Sequence, residues 1–129
     1  MKHINFINRD FGEMSNHFNA KEFACKDGSY ELLICTELLN VLENIRNHFG
    51  EPVKINSGYR TPEWNEKVGG AKNSYHIKGM AADIVVKNHS SKEVAEYASK
   101  VLSGHGGVIR YTNFTHVDVR EYKYRKGVL

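Results

Sequence analysis

The distribution of apolar residues predicts an α+β fold, a small single domain whose mainly antiparallel sheet is flanked by helices. Three observations carry this. Leu38, Leu42, Ile45 and Phe49 recur at helical spacing, as do Val94, Ala98, Val101 and Leu102. Short stretches such as Val53-Lys54-Ile55-Asn56 and His116-Val117-Asp118-Val119 alternate as half-buried strands do. The two patterns are mixed without a regular strand–helix–strand alternation, which argues against a parallel sheet. A length of 129 residues suits one core. Residues 1–129 are therefore read as one domain, with 1–34 as an N-terminal arm packed on it.

In chain order, Phe18, Phe23 and Leu32-Leu33-Ile34 are the expected attachments of the arm. A helix follows over Thr36 to Phe49, with Glu37 in its first turn and Gly50 then Pro52 to stop it. Pro52 to Ser57 reads as a short strand, and Gly58-Tyr59-Arg60 turns the chain. Thr61-Pro62 supplies an N-cap and a first-turn proline for a short helix to about Val68, ended by Gly69-Gly70. Ala82 to Val86 is a core strand. Ser90-Ser91-Lys92-Glu93 is a capping box that opens the next helix, and Gly104 with Gly106-Gly107 breaks it. Val108 to Thr112 and Phe114 to Arg120 are two strands joined by a tight turn near Asn113. The charged tail from Glu121 is expected on the surface.

Composition narrows the function classes. Net charge is +3 with the basic residues dispersed, which gives nucleic-acid binding no support. No apolar run approaches the roughly 20 residues that span a bilayer, so no membrane insertion is expected. Residues 1–10 are interrupted by polar side chains too soon for a signal peptide, so synthesis is expected to leave the protein in the cytoplasm. Cys25 and Cys35 lack metal or redox spacing and read as reduced, partly buried thiols.

Chemistry concentrates in two stretches. Ser74 to Val86 places His76 and Asp83 on either side of a glycine bend, with an apolar strand running on from the carboxylate. Phe114 to Arg120 supplies His116 and Asp118. Strand alternation puts Phe114, His116, Asp118 and Arg120 on one face and Thr115, Val117 and Val119 on the other. By itself the His116–Asp118 pair reads as a solvated surface pair, and a lone His near a lone Asp is common. The small residues of Gly79-Met80-Ala81-Ala82 before Asp83, the glycine and the two alanines, favour a built site, since they let backbone and ligands approach closely. Two histidines and one aspartate, His76, Asp83 and His116, make the kind of set that catalytic zinc uses, with a further position for water.

These residues also carry a resemblance. Ser57 to Arg60, Val68 to Asp83 and Phe114 to Arg120 resemble the zinc D-Ala-D-Ala carboxypeptidase family. These peptidoglycan peptidases share a fold with the hedgehog signalling domain and include phage endolysins. The resemblance runs from about Phe18 to Arg120 and rests on S-x-H-x-x-G-x-A-x-D (Ser74, His76, Gly79, Ala81, Asp83) with a downstream H-x-D. It implies a zinc metallopeptidase with His76, Asp83 and His116 as ligands, Arg60 gripping a substrate carboxylate and Ser74 contacting substrate. It further implies a peptidase that cuts peptidoglycan stem peptides. The small size and the missing signal peptide fit a phage or prophage lysis enzyme, expected as a monomer, made in the host cytoplasm and acting on the cell wall after release. The bond cut stays open: terminal D-Ala-D-Ala, L-Ala to D-Glu, or a cross-link.

One position departs from the family. Many members carry an acid three residues before the last histidine ligand, as general base, and here that residue is Asn113. Either the base lies elsewhere, with Asp118 the first candidate and His105 a weaker one, or activity is lost. The competing readings are therefore a non-catalytic zinc-stabilised binding module or phage structural component, and a metal-free structural domain.

Overall fold

The computed structural model describes residues 3–5 (backbone), 15–29 and 31–128, so most of the polar stretch read in residues 1–10 lies outside the described residues. Strands β1 (His3–Asn5) and β2 (Leu33–Cys35) pair antiparallel. β2 runs directly into helix α1 (Thr36–Phe49). Strand β3 (Val53–Ser57), helix α2 (Pro62–Lys67), strand β4 (Ala81–Val86) and helix α3 (Ser91–Leu102) follow. The chain ends in strands β5 (Gly107–Arg110), β6 (Thr115–Asp118) and β7 (Tyr124–Lys126). The main sheet has the order β3-β4-β6-β5-β7. It is antiparallel except for the parallel β5–β7 pair, so the α+β expectation is borne out.

Local signals act where the sequence placed them. Gly50 adopts φ +65° and its N–H closes α1 on the Arg46 carbonyl. Thr61 accepts from the Trp64 N–H to cap α2, and Ser90 and Glu93 form both bonds of the capping box on α3. Helices α1 and α3 lie together against the sheet. Leu38, Leu42 and Ile45 of α1 and Val94, Ala98 and Leu102 of α3 meet Ala82, Ile84, Val108 and Val117 in the core. Phe18, Phe23, Leu32 and Ile34 of the arm join the same core. Cys25 and Cys35 are buried thiols.

Three expectations need correcting. The β5–β6 connection spans residues 111–114 and is closed by the Tyr111 N–H on the Phe114 carbonyl, which shortens both strands. The polar face of β6 is not open to solvent: Thr115 to Asp118 are all buried, because β6 is the central strand. The tail is not merely surface chain, since Tyr124–Lys126 adds an edge strand to β5.

Candidate metal centre

The sheet register builds the centre. Asp83 of β4 and His116 of β6 are direct cross-strand partners, and residues opposite each other in an antiparallel pair share a face. His76 comes from the loop between α2 and β4. It is brought over this face by a turn in which the Gly79 and Met80 N–H groups bond the His76 and Tyr75 carbonyls. Gly79 adopts φ +69°, and a Cβ there would lie 2.6 Å from the Leu33 carbonyl, so a side chain is excluded by conformation and by space. The Gly79 carbonyl in turn accepts from the Cys35 N–H. The arm thus braces the bend that separates two of the candidate ligands.

One ligand atom from each of His76, Asp83 and His116 lies within 4.8 Å of the others. His76 is 2% exposed, and Asp83 and His116 are each 8% exposed. The His76 ring donates from Nδ1 to the Gly58 carbonyl at 2.7 Å, which leaves the Nε2 lone pair facing inward. That Nε2 is buried without a hydrogen-bond partner, although it stands 3.3 Å from Asp83 Oδ1. On the other side His116 Nδ1 is 3.0 Å from the same oxygen. Burial works against ionisation of Asp83, but the His116 and His76 imidazoles outweigh it and hold the carboxyl well below the usual carboxylate range. Burial likewise opposes charge on His116, and contacts with Asp118 and Asp83 overcome it and push its pKa up. A buried carboxylate between two imidazoles, one with an orphaned nitrogen, is an arrangement that a divalent cation satisfies.

Around this cluster is a cleft of about 400 Å³. Arg60 lines it, with Nε donating to Ser57 Oγ at 3.1 Å, Nη1 to Asn65 Oδ1 at 3.1 Å and Nη2 3.5 Å from Asp83 Oδ2. Ser74 also lines the cleft, and its Oγ accepts from the His76 N–H at 3.2 Å, so it shapes the ligand loop directly. Tyr111 and Phe114 stack with ring centroids 4.5 Å apart on the cleft wall.

Asp118 is placed otherwise than expected. It was read as the base beside a metal-activated water, but its carboxylate is 0% exposed and lies behind His116. Oδ2 accepts from His116 Nε2 at 2.8 Å and Arg120 Nη2 at 2.7 Å. Oδ1 accepts from Arg120 Nε at 2.8 Å and Arg120 N at 3.1 Å. Although burial raises its pKa, these partners prevail and hold it far below the carboxylate range. All its acceptor capacity goes to orienting His116 and neutralising Arg120, which is the geometry of a ligand support. His105 pairs with Glu37 of α1 at 2.8 Å and does not line the cleft, and neither does the exposed Asn113. Asn65 and the Tyr75–Tyr122–Tyr124 group escaped the sequence reading, and Phe23 and Gly58 were read only as an arm attachment and a turn, not as supports of the site. Tyr122 and Tyr124 did leave a trace, alternating with Arg120 at i+2 and i+4, but the charged composition of the tail masked it.

A model of the peptidase M15 family matches residues 13–118. The chain belongs to the peptidase M15 family. It is 33% identical over 93 residues to the probable peptidoglycan L,D-endopeptidase MepK of Haemophilus influenzae, covering 66% of this chain and 50% of that protein. The match to the peptidoglycan L,D-endopeptidase MepK of Escherichia coli is 33% over 73 residues, 53% of this chain and 40% of that one. To the zinc D-Ala-D-Ala carboxypeptidase of Streptomyces albus G it is 43% over 44 residues, 33% of this chain and 17% of that one. The chain thus spans half or less of the length of these curated relatives. For this M15 chain, family and donor set together indicate zinc as the cofactor. No helix among the described residues is long and apolar enough to cross a membrane.

Proposed function

We propose that this chain is a zinc peptidase that hydrolyses amide bonds in the stem peptides of bacterial peptidoglycan. The observation that carries the reading is the convergence of His76, Asp83 and His116 on the floor of a cleft, in a chain of the peptidase M15 family. Bound there, zinc supplies Lewis-acid activation of water and of the scissile carbonyl. The protein's own groups do the rest. Gly58 and Asp118 fix the ring nitrogens of His76 and His116, so the ligands are set before substrate arrives. Arg60, held flat by Ser57 and Asn65, presents its guanidinium to a substrate carboxylate, a pairing that the planar fork of Arg suits. The Tyr111–Phe114 stack gives the cleft an apolar surface against which a stem-peptide side chain lies.

Within this proposal we favour cleavage inside the peptide over removal of a terminal residue. The two relatives named L,D-endopeptidase share longer stretches with this chain than the one named carboxypeptidase does. A role in phage or prophage lysis, acting on the wall after release from the host cytoplasm, belongs to the same proposal and rests on the sequence resemblance. Co-expression with a membrane-permeabilising partner tests it, since lysis should need both proteins.

One observation favours a second reading, a zinc-stabilised module without turnover. Asp83 is the sole carboxylate among the described residues that line the cleft, and as a ligand it is not free to take a proton. Zymography on purified peptidoglycan separates the two. Clearing that chelator abolishes and zinc restores supports the peptidase, and mass spectrometry of the released fragments identifies the bond. Absence of clearing by zinc-loaded, folded protein would leave the binding module.

A further inference from the structure

The sheet register places Asp118, Gly107 and Tyr124 in one row across β6, β5 and β7. Gly107 contributes no side chain to that row, and Arg120 fills the space. A Cβ on Gly107 would lie 2.3 Å from Asp118 Oδ2 and 2.8 Å from Arg120 Nε. The guanidinium is walled by aromatic rings, 4.4 Å from the Tyr75 centroid, 4.6 Å from Tyr124 and 5.3 Å from Tyr122. Its Nη1 donates to the Tyr122 hydroxyl at 3.2 Å, and that hydroxyl lies 3.5 Å from the Tyr75 hydroxyl. The far side of the fork holds Asp118 through Nε and Nη2, and Asp118 holds His116 Nε2.

We propose that Gly107, Arg120, Tyr122 and Tyr124 form an outer clamp that sets the ring angle of His116 and thereby the zinc affinity of the site. Each link has a physical reason. A buried carboxylate with no water around it keeps its charge and its direction through a buried counter-ion, and a bidentate guanidinium fixes both oxygens at once. Arg120 is 8% exposed, and aromatic faces hold its plane where water would let it turn. Asp118 then keeps His116 protonated on Nε2, so that Nδ1 is the nitrogen offered to the metal. In this arrangement β7 is part of the metal site although none of its residues is a ligand. Arg120, Tyr122 and Tyr124 are positioning residues. The inference rests on the zinc reading above and extends it.

The test measures zinc affinity of the full chain by competition with a chromogenic chelator, the d–d absorption of the cobalt-loaded protein, and the melting of the metal-free protein. Four proteins are compared: wild type, Arg120→Lys, Gly107→Ala and Tyr124→Ala. Arg120→Lys keeps the charge and loses the fork; it should weaken zinc binding by about tenfold or more and shift the cobalt band. Gly107→Ala changes no charge and should act in the same direction by crowding the pair. Tyr124, 38% exposed, tolerates truncation, so its variant keeps the readout available if Arg120→Lys does not fold. Wild-type affinity and an unshifted cobalt band in the folded variants would overturn the clamp. So would weakened affinity that only mirrors lost metal-free stability, with the cobalt band unmoved. A wild-type protein that takes up no zinc would instead sink the metal reading beneath it.

Discussion

Replacing Asp118 with Asn is the sharpest test of how the site is supported. The wild-type carboxylate receives four hydrogen bonds, from His116 Nε2 and from Arg120 Nη2, Nε and N. An amide of the same shape has one acceptor oxygen and one NH₂. Whichever way it turns, the NH₂ faces either His116 Nε2 with Arg120 Nη2, or Arg120 Nε with its backbone N–H. A donor then meets donors, and the buried guanidinium loses its counter-charge. Breaking a buried pair costs about 3–5 kcal/mol, and because the amide still accepts on one side the lower end, ~3 kcal/mol, is expected. For a chain of this length each kcal/mol moves the melting point by roughly 3–5 °C, so the metal-free variant should melt about 10–15 °C lower. Zinc affinity should fall by roughly 10–100-fold as His116 loses its orienting partner. Calorimetry of the metal-free protein and chelator competition read the two effects separately. A variant that melts and binds zinc like wild type would refute the reasoning. If stability and zinc binding both survive while kcat falls by roughly 10²–10⁴-fold, Asp118 is the general base after all.

Three further outcomes are expected. Arg60→Lys should mainly raise KM on stem peptides, because the ammonium keeps the charge but cannot make the paired contact; steady-state kinetics identical to wild type would return Arg60 to a structural role. Gly79→Ala should destabilise the fold by about 2–4 kcal/mol, since it adds a left-handed backbone penalty to a clash with Leu33; an unchanged denaturation midpoint would contradict the bracing of the bend by the arm. Glu43 is partly buried, yet hydrogen bonds from Ser15 and His17 overcome burial and hold its carboxyl below its ordinary pKa. A carboxylate with a depressed folded pKa stabilises above its unfolded pKa and loses that contribution as pH falls through the folded value. Glu43→Gln should therefore cost about 1–2 kcal/mol at neutral pH and nothing once the pH lies below both values; a pH-independent difference would argue against it.

What the sequence by itself determined about this protein is what depends on neighbours in the chain. The Ser90–Glu93 box, the Thr61-Pro62 start and the Gly50 stop bound their helices because a cap acts within one turn. The α+β class followed from periodicity, and the S-x-H-x-x-G-x-A-x-D spacing singled out side chains that the structure does bring together. Tertiary structure decided what lies across the sheet. Alternation put His116 and Asp118 on one face, but it is silent on which imidazole nitrogen meets which carboxylate. That was settled by the pairing of Asp83 with His116 in β4–β6 and by the space that Gly107 leaves for Arg120. The same applies to β7, whose parallel pairing with β5 depends on a strand distant in sequence, and to the arm, whose Phe23 and Leu33 lie under Gly58 and Gly79. Capping, turning and alternation are short-range forces written in consecutive residues. The direction of a buried hydrogen bond depends on what the rest of the fold excludes from water, and no local pattern encodes that.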